Sequence, residues 1–415
     1  MMTKDNDRTR LDLVRGSLVG GAAGDALGYP VEFMQYGEIV RRFGPKGITS
    51  YVLDQGVARI SDDTQMTLFT ANGMLLGLTR GFMKGVGNAP EFYVEYAYQD
   101  WFDTQMKSYE RVMSDDKASD TGRHSWLGNL PELYARRAPG NTCLSAISEI
   151  KMKKTPRNDS KGCGGVMRVA PYGLYCACHS VLCSIKEIDV AGGEIARLTH
   201  KHPLGWMPAI VLTHILYRLV SNVPLAGLDK TAARQAFAAI VNEALLLLPK
   251  LKVLNEVSEL TWEREKTLGE VFHNAVERLR ELVERALALA ANELSDVENI
   301  CRLGEGWVGE EALAIAIYAT ARHIDSFEDA LVAAVNHSGD SDSTGAVAGN
   351  IIGAIVGYDA IPAKFKQRLE LHDVILAIAD DLHQGCIISE YDRMETPEKK
   401  QWYERYCKMR PSGIN

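Results

Sequence analysis

The sequence predicts an all-α protein: one compact, multi-helix domain. Three observations support this. Apolar residues recur at three- and four-residue spacing through most of the 415 residues. Strand-like alternation is hard to find over four or more positions. Glycine and proline pairs interrupt the periodic segments at helix-length intervals.

Taken in order, the first helix is expected over Leu11–Leu27, a continuous apolar stripe. The next, Met66–Leu78, follows Ser61-Asp62-Asp63-Thr64, whose serine and aspartates are favoured N-caps. Helical periods continue through Val190–Thr199, Pro208–Val220, Ala232–Leu248, Leu268–Leu289, Glu310–Arg322 and Phe327–Val335. Breaks fall at Gly44-Pro45, Pro139-Gly140, Gly162 to Gly165 and Gly304 to Gly309. The polar stretch Met83–His124, with Ser114-Asp115-Asp116-Lys117, reads as an insertion or loop. The Glu-, Leu-, Arg- and Ala-rich stretch Lys252–Asn299 reads as a helical insertion. One domain is expected over 8–392, with insertions near 83–124 and 252–299 and a C-terminal tail at 393–415.

Two glycine series are spaced by four: Gly16, Gly20, Gly24, Gly28 and Gly345, Gly349, Gly353, Gly357. Interior helix glycine costs about 1 kcal/mol relative to alanine, so eight of them imply a packing gain. Two bare stripes let two helix backbones meet. These helices are therefore expected to form the tightly packed centre.

Composition narrows the function. Apolar content of 46% is ample for a core, and a net charge of −8 with no long Lys/Arg block argues against a nucleic-acid surface. Residues near Met1 are polar and no uninterrupted apolar run suits a membrane span, so a cytoplasmic location without membrane partners is expected. Eight scattered cysteines lack framework spacing, which favours reduced thiols. Cys176, Cys178, His179 and Cys183 cluster without a common zinc spacing.

Chemistry concentrates in two acidic motifs, Ser61-Asp62-Asp63-Thr64 and Gly339-Asp340-Ser341-Asp342-Ser343-Thr344-Gly345. Brought together, their carboxylates would repel and raise one another's pKa unless cations neutralised them. Mg2+ or Mn2+ takes all-oxygen ligands of this kind, and two ions would balance four charges. Helix N-termini behind each motif would help keep the aspartates ionised. Capping alone explains either motif equally well when taken singly. A calcium loop starting at Asp340 fails, because its twelfth position is Ile351 rather than glutamate.

Further segments extend the pattern: Gly20–Gly28 with Pro30-Val31-Glu32-Phe33, Pro139-Gly140-Asn141-Thr142, Gly162-Cys163-Gly164-Gly165-Val166-Met167-Arg168, Leu198–Pro203 and Gly306-Trp307-Val308. In these, in order, the chain resembles the ADP-ribosylglycohydrolases, the group of the dinitrogenase-reductase-activating glycohydrolases and ADP-ribosylarginine hydrolases. The resemblance spans roughly 12 to 357. It implies two cations, Mg2+ or Mn2+, held by Ser61, Asp62 and Asp63 from one side and Asp340, Asp342 and Ser343 from the other. It implies catalytic roles for Glu32, Asp62 and Asp342, with Glu32 a conditional ligand on a flap. Asn141, Thr142 and Cys143 would contact ADP-ribose. Gly162, Gly164 and Gly165 would offer backbone N–H groups to the diphosphate. His200 would contact ribose or diphosphate, and Trp307 would line the cleft. Asp25 and Arg168 would be structural, as a cap and a buried pair partner.

The activity implied is hydrolysis of the bond between ADP-ribose and a modified side chain, arginine first. An ADP-ribosylated protein is the implied substrate, and a cognate ADP-ribosyltransferase a possible partner. One departure bears on the acceptor. Arg136-Arg137-Ala138-Pro139 stands where nitrogenase-regulating relatives carry an aspartate, which leaves Glu132, Asp100 or Asp103 as substitutes. Alternatives are hydrolysis of O-linked ADP-ribose on serine or a small metabolite, and an immunity-type protein that blocks a toxic transferase by contact. A binuclear phosphohydrolase is disfavoured because no histidines accompany the aspartates.

Overall fold

A computed structural model of the chain describes residues 4–85, 87, 89–114, 124–179, 183–221, 225, 227–251 and 262–407. Asp115-Asp116-Lys117 and the start of the second insertion, 252–261, lie outside the described residues. In chain order the helices are α1 Lys4–Gly28, α2 Tyr36–Phe43, α3 Asp62–Lys84, α4 Pro90–Met106, α5 Tyr109–Met113, α6 Asn141–Lys151, α7 Ala170–Cys178, α8 Ile185–Arg197 and α9 Pro203–Ser221. They continue as α10 Lys230–Leu247, α11 Trp262–Leu289, α12 Asp296–Ile300, α13 Gly309–Arg322, α14 Phe327–Val335, α15 Ser341–Val356, α16 Ala363–Lys366, α17 His372–Gln384 and α18 Pro397–Tyr406. The strands described are one antiparallel pair, β1 (Leu53–Asp54) and β2 (Val57–Ala58), in register Leu53 to Ala58. The fold is all-α, as the periodicity implies.

The centre is the antiparallel pair α1 and α15, the most extensive helix contact in the molecule. A Cβ on Gly20 would lie 2.4 Å from the Gly349 carbonyl oxygen, and one on Gly24 only 1.9 Å from that of Gly345. The two glycine stripes are therefore the contact itself. Ser17 Oγ donates to Asn350 O at 2.9 Å and Asn350 Nδ2 donates back to Ser17 O at 2.8 Å, which fixes the register. Gly24→Ala should cost about 2–3 kcal/mol through overpacking, read as a lower denaturation midpoint. Gly37→Ala, on exposed α2 with nothing within 4 Å of the new Cβ, should add about 0.5–1 kcal/mol instead.

Around this pair, α13 and α14 pack on α15, α17 on α1, and α7, α8 and α13 on α9. α9 and the segment Lys230–Lys250 have the length and apolar composition of a membrane span; 83% of the first is buried inside the molecule and 39% of the second. For α9 that apolar character is core packing, and His214 and Arg218 interrupt the run in the sequence.

Both insertions are partly woven into the body. α4 buries Tyr93, Val94, Ala97, Tyr98 and Trp101 against α3 and its neighbours. α11 buries Ala275, Val276, Leu279, Leu282, Val283 and Ala286. The stretch set aside as a tail contains α18, which docks on the body. Trp402 Nε1 donates to Thr79 Oγ1 at 3.0 Å, and Tyr406 OH to Asp381 Oδ2 at 2.7 Å. The polar face of Pro397–Tyr406 masks these two anchors in the sequence.

Candidate metal and ligand site

The α1–α15 contact determines where the acidic motifs meet. A Cβ on Gly28, at the end of α1, would lie 2.7 Å from the Asp342 Cα at the start of α15. Glu32 follows within one further turn, on the short 3-10 segment after α1. Asp25 supplies the link to α3: its carboxylate accepts from Ser61 N at 2.9 Å, Thr64 N at 3.1 Å and the Thr64 hydroxyl. Burial raises Asp25 to about 6, and those donors oppose the rise. Asp25 is thus a cap in the expected sense, though it caps a different helix and so holds the two motifs together.

Each motif is also a helix N-terminus. Ser61 Oγ accepts from Asp63 N at 3.2 Å at the start of α3. Asp340 Oδ1 and Asp342 Oδ1 accept from Ser343 N at 3.2 and 3.0 Å at the start of α15. The capping explanation is correct for both motifs, and it leaves carboxylate oxygens over. Asp63 Oδ1 and Glu32 Oε2 are buried with no hydrogen-bond partner among the described residues.

The electrostatics show that these groups share one pocket. Burial, then repulsion from Asp62, Asp25 and Asp340, raises Asp63 well above the usual carboxylate range. Burial, then Asp63, Asp340 and Glu32, does the same to Asp342. Burial raises Asp62 as well, against a hydrogen bond from Gly140 N to its Oδ2 at 3.3 Å. Glu32 is pushed up to about 9, by burial first and then by Asp340 and Asp62, and it hydrogen-bonds the Asp342 carboxyl. Buried carboxylates without nearby counter-charge are costly, and divalent cations are the usual remedy.

The donor set therefore suits hard divalent ions: four aspartates, two serine hydroxyls and a glutamate. Among the described residues no group of three or more His, Cys, Asp or Glu side chains already has metal-site geometry. Cys163, missed in the sequence, also enters this pocket. Its thiol donates to Asp340 Oδ2 at 2.8 Å.

Beside the acidic pocket lies the remaining predicted set. A Cβ on Gly164 would meet Cys143 Sγ and His200 Cε1, both at 3.0 Å, and one on Gly165 would meet the Gly205 carbonyl at 2.2 Å. The turn is glycine because nothing else fits. Gly162 N donates to Ser160 Oγ at 3.4 Å and Cys163 N to Trp307 O at 3.2 Å, so two of the loop's donors serve the protein. His200 is buried, its Nδ1 shares a hydrogen bond with Thr199 Oγ1 at 2.8 Å, and burial lowers it to about 3, so it is neutral. Asn141 is exposed at the start of α6, and Thr142 Oγ1 reaches Ser160 Oγ at 3.0 Å. Cys143 is buried with its thiol toward Arg168 at 3.2 Å.

Among the described residues Arg168 has no carboxylate partner for the buried pair that the resemblance implied. Its guanidinium bonds Thr199 Oγ1 at 2.6 Å and Cys143 Sγ, and lies 4.7 Å from the Tyr98 ring centroid. Trp307 is half-exposed and stacks on Phe33 at 5.7 Å between centroids and 20° between planes. Phe33 is 72% exposed, and beside Glu32 it gave no periodic signal in the sequence.

Of the carboxylates considered for the acceptor, Glu132 is exposed, whereas the other two are otherwise engaged. Asp100 Oδ2 accepts from His124 N at 2.6 Å and Ser125 N at 2.7 Å, and Asp103 pairs with Lys151 and Lys107. Arg137 pairs with Glu370 at 3.1 Å, and its carbonyl accepts from Asp62 N at 3.1 Å. Arg137 is thus a strut under Asp62.

The all-α body thus places a cluster of buried carboxylates beside a glycine turn. The ADP-ribosylglycohydrolase family model matches residues 6–390, so the chain belongs to the ADP-ribosylglycohydrolase family, a group of metal-dependent ADP-ribosyl hydrolases. It is 22% identical to the ADP-ribosyl-[dinitrogen reductase] glycohydrolase of Rhodospirillum rubrum over 89% of this chain and 97% of that one. It is 24% identical to the human ADP-ribosylhydrolase ARH3 over 54% of this chain and 58% of that one. A solved ADP-ribosylglycohydrolase-related protein complex shares the fold, with a TM-score of 0.52 at 22% identity over 91% of this chain and 99% of that one.

Proposed function

We propose that this protein hydrolyses the N-glycosidic bond between ADP-ribose and a modified arginine side chain. The observation that carries the reading is the meeting of Glu32, Ser61–Asp63 and Asp340–Ser343 in one buried pocket beside Gly162–Gly165 and His200. Ser61, Asp62, Asp63, Asp340, Asp342 and Ser343 would hold two divalent cations, Mg2+ or Mn2+. When bound, such cations supply Lewis-acid grip on oxygen ligands and water of lowered pKa.

The chain's own residues do the rest. His200, neutral and beside Gly164, can exchange a hydrogen bond with a phosphate or ribose oxygen without adding charge. Gly164 and Gly165 bring backbone close to a diphosphate. The exposed Phe33–Trp307 pair offers ring faces to a purine. Glu32 Oε2, free of partners, can pass a proton to or from the reacting group. Its raised pKa would fall once cations neutralise its neighbours, which suits acid–base work. Glycosidic cleavage builds positive charge on the ribose, so the geometry that holds the sugar and the proton donor decides the rate.

Alignment along nearly the whole length of the dinitrogen reductase glycohydrolase favours a protein-linked substrate. Against arginine stands the engagement of Asp100 and Asp103, which supports a second reading, an O-linked acceptor such as serine. The test is release of ADP-ribose from arginine- and serine-modified peptides with Mg2+ or Mn2+, with and without chelator. Release from arginine alone, abolished by chelator, is expected; release from serine alone would replace the first reading by the second. Trp307→Ala should raise KM for the modified peptide about tenfold with kcat nearly unchanged, since base stacking contributes about 1–3 kcal/mol.

A further inference from the structure

Among the oxygens proposed to hold cations lies one sulfur. Cys163 donates its S–H to Asp340 Oδ2 at 2.8 Å, and Ser343 Oγ approaches its Sγ to 3.5 Å. The backbone fixes this placement, because Cys163 opens the tight turn Cys163–Gly165 and its N–H is held by Trp307 O at 3.2 Å. The residue is half-buried rather than sealed. In the same pocket Asp63, 2% exposed, keeps Oδ1 without a hydrogen-bond partner among the described residues. The thiol packs against the apolar core on one side, and on the other it is hydrogen-bonded to one carboxylate near an unpartnered second, so a sulfur is offered beside the oxygens.

Sulfur changes which ions such a set prefers. Mg2+ and Ca2+ take oxygen, whereas Zn2+, Cd2+ and Co2+ gain from thiolate. We propose that Cys163 is a sulfur donor at the edge of the cation site, giving the centre a mixed oxygen–sulfur ligand set for thiophilic divalent ions. The exchange balances simply: as the sulfur–metal bond forms, the S–H proton leaves to solvent, and Asp340 Oδ2 loses its donor and is freed for the same ion. No electron transfer is involved. The centre would then bind Zn2+ or Cd2+ more tightly than the hard ions that support turnover, so trace thiophilic metal would inhibit. This inference rests on the reading that the pocket holds cations.

The test uses Cd2+ on the full-length protein, followed by near-ultraviolet sulfur-to-metal charge-transfer absorbance. Wild type and Cys301→Ser, which alters an exposed remote thiol, should show the band; Cys163→Ser should lose it. Cd2+ affinity should fall at least about tenfold in Cys163→Ser, the scale on which partners around a metal are felt. Mg2+ affinity should change by less than about threefold, because serine keeps an oxygen for a hard ion. A band of undiminished intensity in Cys163→Ser overturns the proposal.

Iodoacetamide footprinting of wild type, read by peptide mass spectrometry, needs no variant. Cd2+ should protect Cys163, and equal labelling with and without Cd2+ overturns the proposal. Glycohydrolase assays on the same samples separate the two ideas. Loss of the band in a protein that releases no ADP-ribose keeps the sulfur ligand and removes the activity. A retained band with full hydrolysis does the reverse.

Discussion

Asp342→Asn is expected to abolish ADP-ribose release while leaving the protein folded. Asparagine keeps the side-chain volume and an oxygen that can accept from Ser343 N, now 3.0 Å from Asp342 Oδ1. It removes only charge, and that charge is repelled by Asp63, Asp340 and Glu32 in the cation-free pocket. The folded state should therefore be no less stable without cations. Activity should fall steeply. Lewis-acid stabilisation contributes several kcal/mol to hydrolysis, and three decades of rate correspond to about 4 kcal/mol. A loss of at least about a thousandfold is expected in saturating Mn2+, accompanied by weaker cation binding in calorimetry. Asp62→Ala should do the same, with a small stability cost from the Gly140 N–H that loses its acceptor. A variant of either kind that hydrolyses within tenfold of wild type refutes the assignment.

Much of this was legible in the sequence, for reasons tied to particular residues. The glycine stripes were visible because their spacing matches the helix repeat, and only close backbone contact rewards seven glycines in two helices, with the eighth, Gly357, capping the second at φ 79°. That contact in turn places Asp342 next to Gly28 and hence near Glu32. The acidic motifs were visible because each packs carboxylates and hydroxyls into a few residues. Hidden were features that depend on three-dimensional neighbours. Cys163 reads as one more glycine-loop residue until Asp340 arrives beside it. Phe33 carries no periodic signal, since an exposed ring beside a cleft has no packing pattern. Arg168 looked like a pair partner because buried arginines usually have one. Here thiol, hydroxyl and tyrosine ring share the task. The α18 anchors, Trp402 and Tyr406, sit in a segment whose many charged residues disguised two buried aromatics.

Thermal stability should respond to pH in opposite ways with and without cations. In the chelated protein, burial and mutual repulsion raise Asp62, Asp63 and Asp342 well above the carboxylate range and Glu32 to about 9. Between the ordinary values of about 4 and those raised values, the folded chain holds protons that the unfolded chain has lost. Stability contributed by these groups is therefore fully present below pH 4 and is lost as pH climbs through the raised values. The decline is about 1.4 kcal/mol per pH unit for each proton held. The chelated protein should melt at a lower temperature at pH 8 than at pH 6. Mn2+ or Mg2+ competes with protons for the same oxygens, so its stabilising effect should be larger at pH 8. A hundredfold excess over Kd adds about 2.7 kcal/mol. Asp342→Asn should flatten the slope in chelator and shrink the cation-induced shift. Equal melting temperatures at both pH values, together with no response to either cation, would mean that these carboxylates neither repel one another nor meet a divalent ion.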